Sequence, residues 1–477
     1  PASLLYGSDA LGGVLYFVDE RYANQNMVEA FAQTKFLSNT LGSINNMGFK
    51  IHKRKLKFNL FGTYSSQGDY QAPNFDRVFN TRFDEKNLKS SIGFNAKNWI
   101  SNIRYSYLKN NYGIVEDAVY TNSTQRKFRL PLQTIDNHNV SFENIVFTKN
   151  SKLNLTLGYT NNYRKEFEDD ANNQALGLKL NTFTYNLKWY SPTYNDRFDF
   201  IIGSQGMSQS NLNNGEEVLI PDANTTDFGA FVLGNLKFDK LQFQGGIRTD
   251  YREIDSKPMV TDDGNFPTLK KSYNGLTFSG GTVYKLKKTK FRANISSGFR
   301  APNTTELLSD GVHHGTNRYM KGDANLLNEN ATQIDFSFDY QNEHLSFSVN
   351  PFYNVIQNYI FLSPTNAVID NSPVFEYIQS NAFLYGGELG FHYHPHKIHW
   401  LHLESNLSTV IAEDRNGNSL PLIPQTKLNS TISAEISHKG KVTLKNVFVQ
   451  NIYKFQQSRT SLFETATNDY NLINIGL

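Results

Sequence analysis

The sequence predicts an all-β fold, a large antiparallel transmembrane β-barrel. Two observations carry that prediction. Apolar and polar residues alternate with period two in one segment after another, and the segments are joined by connections that are short and long by turns. A third observation is compositional: aromatic residues make up 14% of the chain, with 26 Tyr and 36 Phe, as expected where girdles of rings sit at both membrane interfaces.

The alternation is plain in Leu153-Asn154-Leu155-Thr156-Leu157-Gly158-Tyr159-Thr160, and it recurs in Leu56/Phe58/Leu60, Phe183/Tyr185/Leu187/Trp189, Phe198/Phe200/Ile202, Phe336/Phe338/Tyr340, Leu345/Phe347/Val349 and Leu401/Leu403. Each such strand has one apolar and one polar face. In a barrel the apolar face meets lipid, while Asp335, Ser337, Asp339, Ser346 and Ser348 look into a watery lumen. A soluble sandwich would alternate too, but 477 residues with no Pro/Gly/Ser-rich linker and no charge block favour one continuous architecture. The absence of cysteine suits an envelope protein. A mean hydropathy of −0.50 does not argue against a barrel, in which only every second residue faces lipid.

The connections set the orientation. Short, mostly basic and polar turns are expected near 52–55, 97–98, 149–152, 191–197, 239–240, 287–290, 342–344, 395–397 and 438–441. Longer Asn/Asp/Gly-rich stretches fall at 67–86, 110–137, 165–176, 208–225, 254–272, 301–330, 357–380, 413–425 and 454–469. Short turns belong in the periplasm and long loops outside the cell. With an opening strand near 27–37 and a partial one at 470–477, roughly 20 strands are expected. A barrel that wide cannot be filled by its own side chains and needs a plug.

Forty-seven basic and 44 acidic residues are spread along the chain, so no nucleic-acid footprint is visible. No G-x-S-x-G or H-E-x-x-H motif and no paired acids on one strand face are found, so no enzyme and no cofactor are expected.

The chain opens with Pro1-Ala2-Ser3-Leu4-Leu5-Tyr6-Gly7-Ser8-Asp9-Ala10-Leu11-Gly12-Gly13-Val14-Leu15. Physically this is a helical turn released at Gly7, then a Gly12-Gly13 turn feeding a strand at 14–18. The string strongly resembles the segment that ends the plug domain of TonB-dependent outer-membrane receptors. A second stretch, Gly298-Phe299-Arg300-Ala301-Pro302-Asn303-Thr304-Thr305-Glu306-Leu307, is similar to a motif by which barrels of that family leave a strand and enter an extracellular loop. The resemblance implies a domain division at 1–22, the end of a plug, and 23–477, a barrel. About one hairpin of an expected 22-stranded barrel and most of the plug are expected to lie beyond the sequence given. The resemblance also implies active import of a scarce nutrient across the outer membrane, driven by the TonB–ExbB–ExbD complex, with outer-membrane lipid around the barrel. A ferric siderophore or other metal chelate leads as substrate. Zinc or haem uptake is the alternative, and a passive porin a further one.

Candidate ligand-binding residues are His313, His314, Arg318 and Tyr319, in the longest expected extracellular loop, where imidazole suits zinc, copper or haem iron. Glu166, Glu168, Asp169 and Asp170, after the strand ending near Arg164, are possible metal ligands if that loop folds over the same mouth. The plug-end residues are Tyr6, Gly7, Gly12 and Gly13. Arg248, Arg292 and Arg300 are expected to pair with lumen carboxylates or with the plug. His392, His394, His396, His399 and His402 cluster beside the short Pro395-His396-Lys397 turn, so strand parity puts them at the periplasmic rim, where packing is the expected role.

Overall fold

The computed structural model describes residues 2–73, 76–115, 119–260, 265–313, 318–369, 371–435, 446–462 and 464–477. Its dominant element is a 22-stranded sheet. Twenty of those strands form one antiparallel meander in chain order, from Val28–Leu37 to Tyr470–Gly476. The other two, Asp310–His313 and Arg318–Lys321, are a hairpin within one long connection, and it joins the strand Ser372–Tyr393 in parallel. Among the described residues, the first strand of the meander pairs with the second and the last with the one before it.

The strand Leu241–Ser256 shows how sequence becomes wall. Phe243, Ile247 and Tyr251 are exposed on one face, whereas Arg248, Asp250 and Arg252 on the other are buried. Burial of the charged face and exposure of the apolar one is the reverse of a soluble sandwich and the order required when lipid is the outer solvent.

The sheet curves around the N-terminal residues. Leu11 lies so close to Gly298 that a Cβ there would collide with it, and the Glu20 carbonyl accepts from Asn59 Nδ2 at 3.4 Å. Gly298 and Asn59 sit on strands ten apart in the meander, ~48 Å along the sheet at ~4.8 Å per strand. Leu11 and Glu20 are separated by at most ~32 Å of extended chain. A flat sheet could not touch both.

Two expectations are corrected. Residues 14–18 form no strand; they have no ladder partner among the described residues, with Leu15 87% and Phe17 86% exposed. Alternation alone does not make a strand when no neighbouring edge receives its backbone groups. The stretch 357–380 is not an irregular loop but the outer half of a ribbon, because Leu345–Ile369 and Ser372–Tyr393 stay paired up to Ile369↔Ser372, with register shifts at Ile356/Tyr359 and Pro364/Val368. β-branched and aromatic residues such as Tyr359, Ile360, Phe361 and Tyr377 continue the strand pattern well beyond the wall. The expected turn at 438–441 lies outside the described residues.

Candidate functional site

Inside the barrel, the short helix Ala2–Tyr6 ends at Gly7, whose φ of 104° suits glycine and brings its backbone against the Arg248 guanidinium. Arg248 donates to Asp250 and, through Nη1, to the Leu4 carbonyl at 3.2 Å and to Gln205 Oε1 at 2.8 Å. Gln205 in turn donates to the Leu5 carbonyl at 2.6 Å. Four residues further along the strand face, Arg252 bridges Asp227 of the wall and Asp9 of the N-terminal segment, at 2.6 and 2.8 Å. Asp19 then pairs with Arg104 at 2.8 Å and Glu20 with Lys89 at 3.0 Å. Polar wall and N-terminal segment are thus clipped together by charge-assisted bonds. Between them lies a cavity of about 570 Å³ lined by Tyr6, Asp9, Tyr185, Met207, Arg252 and Phe299 among others. Gly12 and Gly13 line a second, smaller opening next to Gly298 and Asp335.

At the loop end, the strand Thr289–Arg300 runs into the helix Thr304–Leu308, capped by Asn303 through a reciprocal box with Glu306. Arg300 donates to Glu329 at 2.6 and 2.8 Å and to Glu306 at 2.9 Å. Leu307 and Leu308 pack with Ile254, Tyr273, Phe299, Leu326 and Ile360, so the loops over the mouth have a hydrophobic core of their own. In the connection after the strand Leu56–Gln67, Arg82 and Asp69 form a fully buried bidentate pair.

The candidate residues divide around this frame. Arg318 is exposed and its guanidinium stacks over the Phe375 ring at 4.6 Å. Tyr319 is buried, and its hydroxyl donates to Asp310 at 2.8 Å. The backbone of His313 closes the strand Asp310–His313, opposite Arg318; His314 lies outside the described residues. Glu166 is buried and accepts from Gln133 at 2.6 Å and from Arg164. Asp170 is exposed and accepts from the Asn172 backbone at 2.9 Å, with Asp169 exposed beside it and Glu168 half-buried. Among the described residues, these acids do not converge on one metal-sized point. Arg292, the remaining lumen arginine, pairs with Asp339 at 3.2 Å.

Residues 22–477 match the family described as TonB dependent receptor-like, beta-barrel. The chain belongs to the TonB-dependent receptor family. It is a β-barrel protein of the outer membrane, and the opening and Gly298–Leu307 motifs agree with that membership. A comparison with curated protein sequences finds no match. Among solved structures, this receptor resembles the copper transporter OprC, with a TM-score of 0.76 at 14% identity, covering 96% of this chain and 74% of that one. It also resembles the ferric enterobactin receptor of Pseudomonas aeruginosa, with a TM-score of 0.75 at 13% identity and 100% and 75% coverage. The hemophore receptor HasR of Serratia marcescens superposes with a TM-score of 0.71 at 12% identity and 94% and 74% coverage. At such identities the likeness concerns the fold.

At the short-turn end of the receptor, the rim histidines are gathered more closely than their spacing implied. His392, His394 and His402 each place a ring nitrogen within 4.8 Å of the others. His344, from the adjacent turn, joins them, with ring centroids 5.1 Å from His394 and 4.7 Å from His396. Partial desolvation, together with His344, His392, His402 and His399, holds the His394 imidazole below its usual range. Sequence reasoning missed His344, though its place just before Leu345, the partner of Tyr393, is the signal that brings it to His394.

Proposed function

We propose that the protein imports an anionic metal chelate of the ferric siderophore class across the outer membrane, with the TonB–ExbB–ExbD complex as energy source and residues 1–22 as the end of a plug. The observation that carries this reading is the exposed Arg318 stacked on Phe375 at the extracellular mouth. A guanidinium set over a ring offers a positive charge, hydrogen-bond donors and an aromatic face together, which suits the negatively charged surface of a ferric chelate better than a bare cation. Arg318 sits on a strand tied to its hairpin partner through Tyr319–Asp310 and to the ribbon through Met320↔Phe375, so the platform is held in place. The names of the superposed proteins include copper, iron-siderophore and haem carriers, so support for one substrate comes from the residues at the mouth.

Uptake needs differential binding: the chelate must favour one state of the plug over another for capture to be coupled to movement. The Arg248 and Arg252 clips on the N-terminal segment are the contacts such movement would have to break or carry along. The second reading, zinc or haem capture through His313 and His314, draws on the backbone of His313, which ends the strand paired with that of Arg318.

Calorimetry on the full-length receptor in detergent, with a panel of ferric siderophores, haem and zinc, tests the choice. Binding of a ferric siderophore that is weakened in Arg318→Ala and unchanged in His313→Ala/His314→Ala is expected. Haem or zinc binding lost in the histidine variant, with no siderophore bound, would replace this reading with the second.

A further inference from the structure

Six of the eleven histidines of the chain, His344, His392, His394, His396, His399 and His402, meet at the short-turn end of two adjacent hairpins. Their convergence follows from register. His392 lies opposite Glu404 and one position from the Tyr393↔Leu403 pair, which brings His402 alongside. The His394 amide donates to the His344 carbonyl at 2.9 Å, tying the two turns together. Leu389, Phe391 and Tyr393 are exposed on the lipid face, so His392, of opposite parity, lies on the lumen face.

We propose that His392, His394 and His402 form a binding site for a divalent transition-metal ion of the zinc, copper or nickel class on the lumen wall at the periplasmic rim. This site goes beyond the substrate reading, and neither depends on the other. The ring centroids of the three make a nearly equilateral triangle, at 5.4, 5.5 and 5.6 Å. His392 Nε2 and His402 Nδ1 are 3.1 Å apart. Zinc bonds to imidazole at ~2.0–2.1 Å, so two ligands of a tetrahedral ion stand roughly 3.3 Å apart, close to that separation. His394 Nδ1 is buried and has no hydrogen-bond partner among the described residues. It is the third donor, and a small ring movement closes the set.

The surrounding groups fit the same use. With Nδ1 of His402 turned to the metal, its Nε2 points to Glu435 Oε1 at 3.8 Å. Shortened to hydrogen-bond range, that contact would make the carboxylate–histidine–metal arrangement that fixes a tautomer and raises ligand basicity. His344 and His396, in contact at 2.8 Å between Nε2 and Nδ1, stand next to the triad as a further pair of donors. Neutral imidazole selects zinc, copper and nickel over calcium and magnesium, which prefer oxygen. Three protein ligands leave one coordination position open, as in exchangeable rather than sealed sites.

The experiment uses the full-length receptor in detergent, stripped with a chelator and titrated with Zn²⁺ by calorimetry and with Co²⁺ by visible absorption. The wild type is expected to bind an equivalent of metal, with the intense d–d bands of a tetrahedral cobalt–imidazole site. That equivalent should vanish in His392→Ala/His394→Ala/His402→Ala and persist in His313→Ala/His314→Ala. Heat-modifiable gel migration checks that the triple variant is folded. A measurement independent of variants is diethylpyrocarbonate labelling of the wild type, read residue by residue by mass spectrometry, in which Zn²⁺ should protect these three histidines. Undiminished metal binding in the folded triple variant, or no protection of the three by Zn²⁺, would overturn the proposal.

Discussion

Arg300 at the loop end of the wall donates to both Glu306 and Glu329, and in the connection after the third strand Arg82 is buried against Asp69, so these two arginines have their complements. At the other end, His394 of the proposed metal site keeps a buried Nδ1 with no hydrogen-bond partner among the described residues. The contrast separates two uses of polar groups. A buried charge with all its partners in place specifies a conformation, and removing one member leaves the rest uncompensated. A buried lone pair without a partner costs free energy that a ligand can recover.

The largest expected effect breaks the first half of that contrast. Arg300→Ala leaves two carboxylates facing each other above the Phe299–Leu307 core, and should destabilise the loop end by about 3–5 kcal/mol. Thermal melting and limited proteolysis of loop 301–328 would read it, and a melt equal to wild type would mean the network contributes little. Next comes the wall itself: Ile247→Lys, on the lipid face, should cost about 2–4 kcal/mol of barrel stability in a reversible unfolding assay in lipid. A neutral result there would put Ile247 on the wrong face.

A smaller, local effect is expected for Arg252→Ala, which frees Asp9 from the wall while Arg248 still holds Leu4. Hydrogen exchange should quicken in the N-terminal segment and leave the strand ladders unchanged. The smallest is Glu464→Gln in the loop 455–469. Burial works to raise the carboxyl of Glu464, but bonds from the Ser461 and Leu422 amides and the Ser461 hydroxyl outweigh it and hold the group below the usual carboxylate range. A depressed folded-state pKa means the stabilisation is present at neutral pH and lost as the pH falls through that lowered value. The variant should therefore match wild type in strong acid and differ from it at neutral pH in loop protection.

Much of the fold could be read from the chain because the lipid imposes period two on every wall strand, and Phe243/Ile247/Tyr251 against Arg248/Asp250/Arg252 is as visible in sequence as in structure. Among the described residues the short-turn positions were legible for the same reason. The ribbon beyond Ile356 was not, since its Asn and Ser content mimics a loop while its β-branched and aromatic residues keep the ladder going. Partners were the least legible. That Arg248, Arg292 and Arg300 would pair was expected from their parity, but nothing local assigns Asp9 to Arg252, 243 residues away, or Asp69 to Arg82 across a loop. His344 joined the rim cluster only through register.

Cellular uptake tests the central claim most directly: accumulation of an iron-labelled siderophore by cells whose only receptor is this full-length protein, with and without the TonB–ExbB–ExbD complex. Accumulation is expected to require both receptor and complex and to fall in Arg318→Ala. Equal accumulation without the complex, or none with any ferric siderophore of the panel, would contradict it.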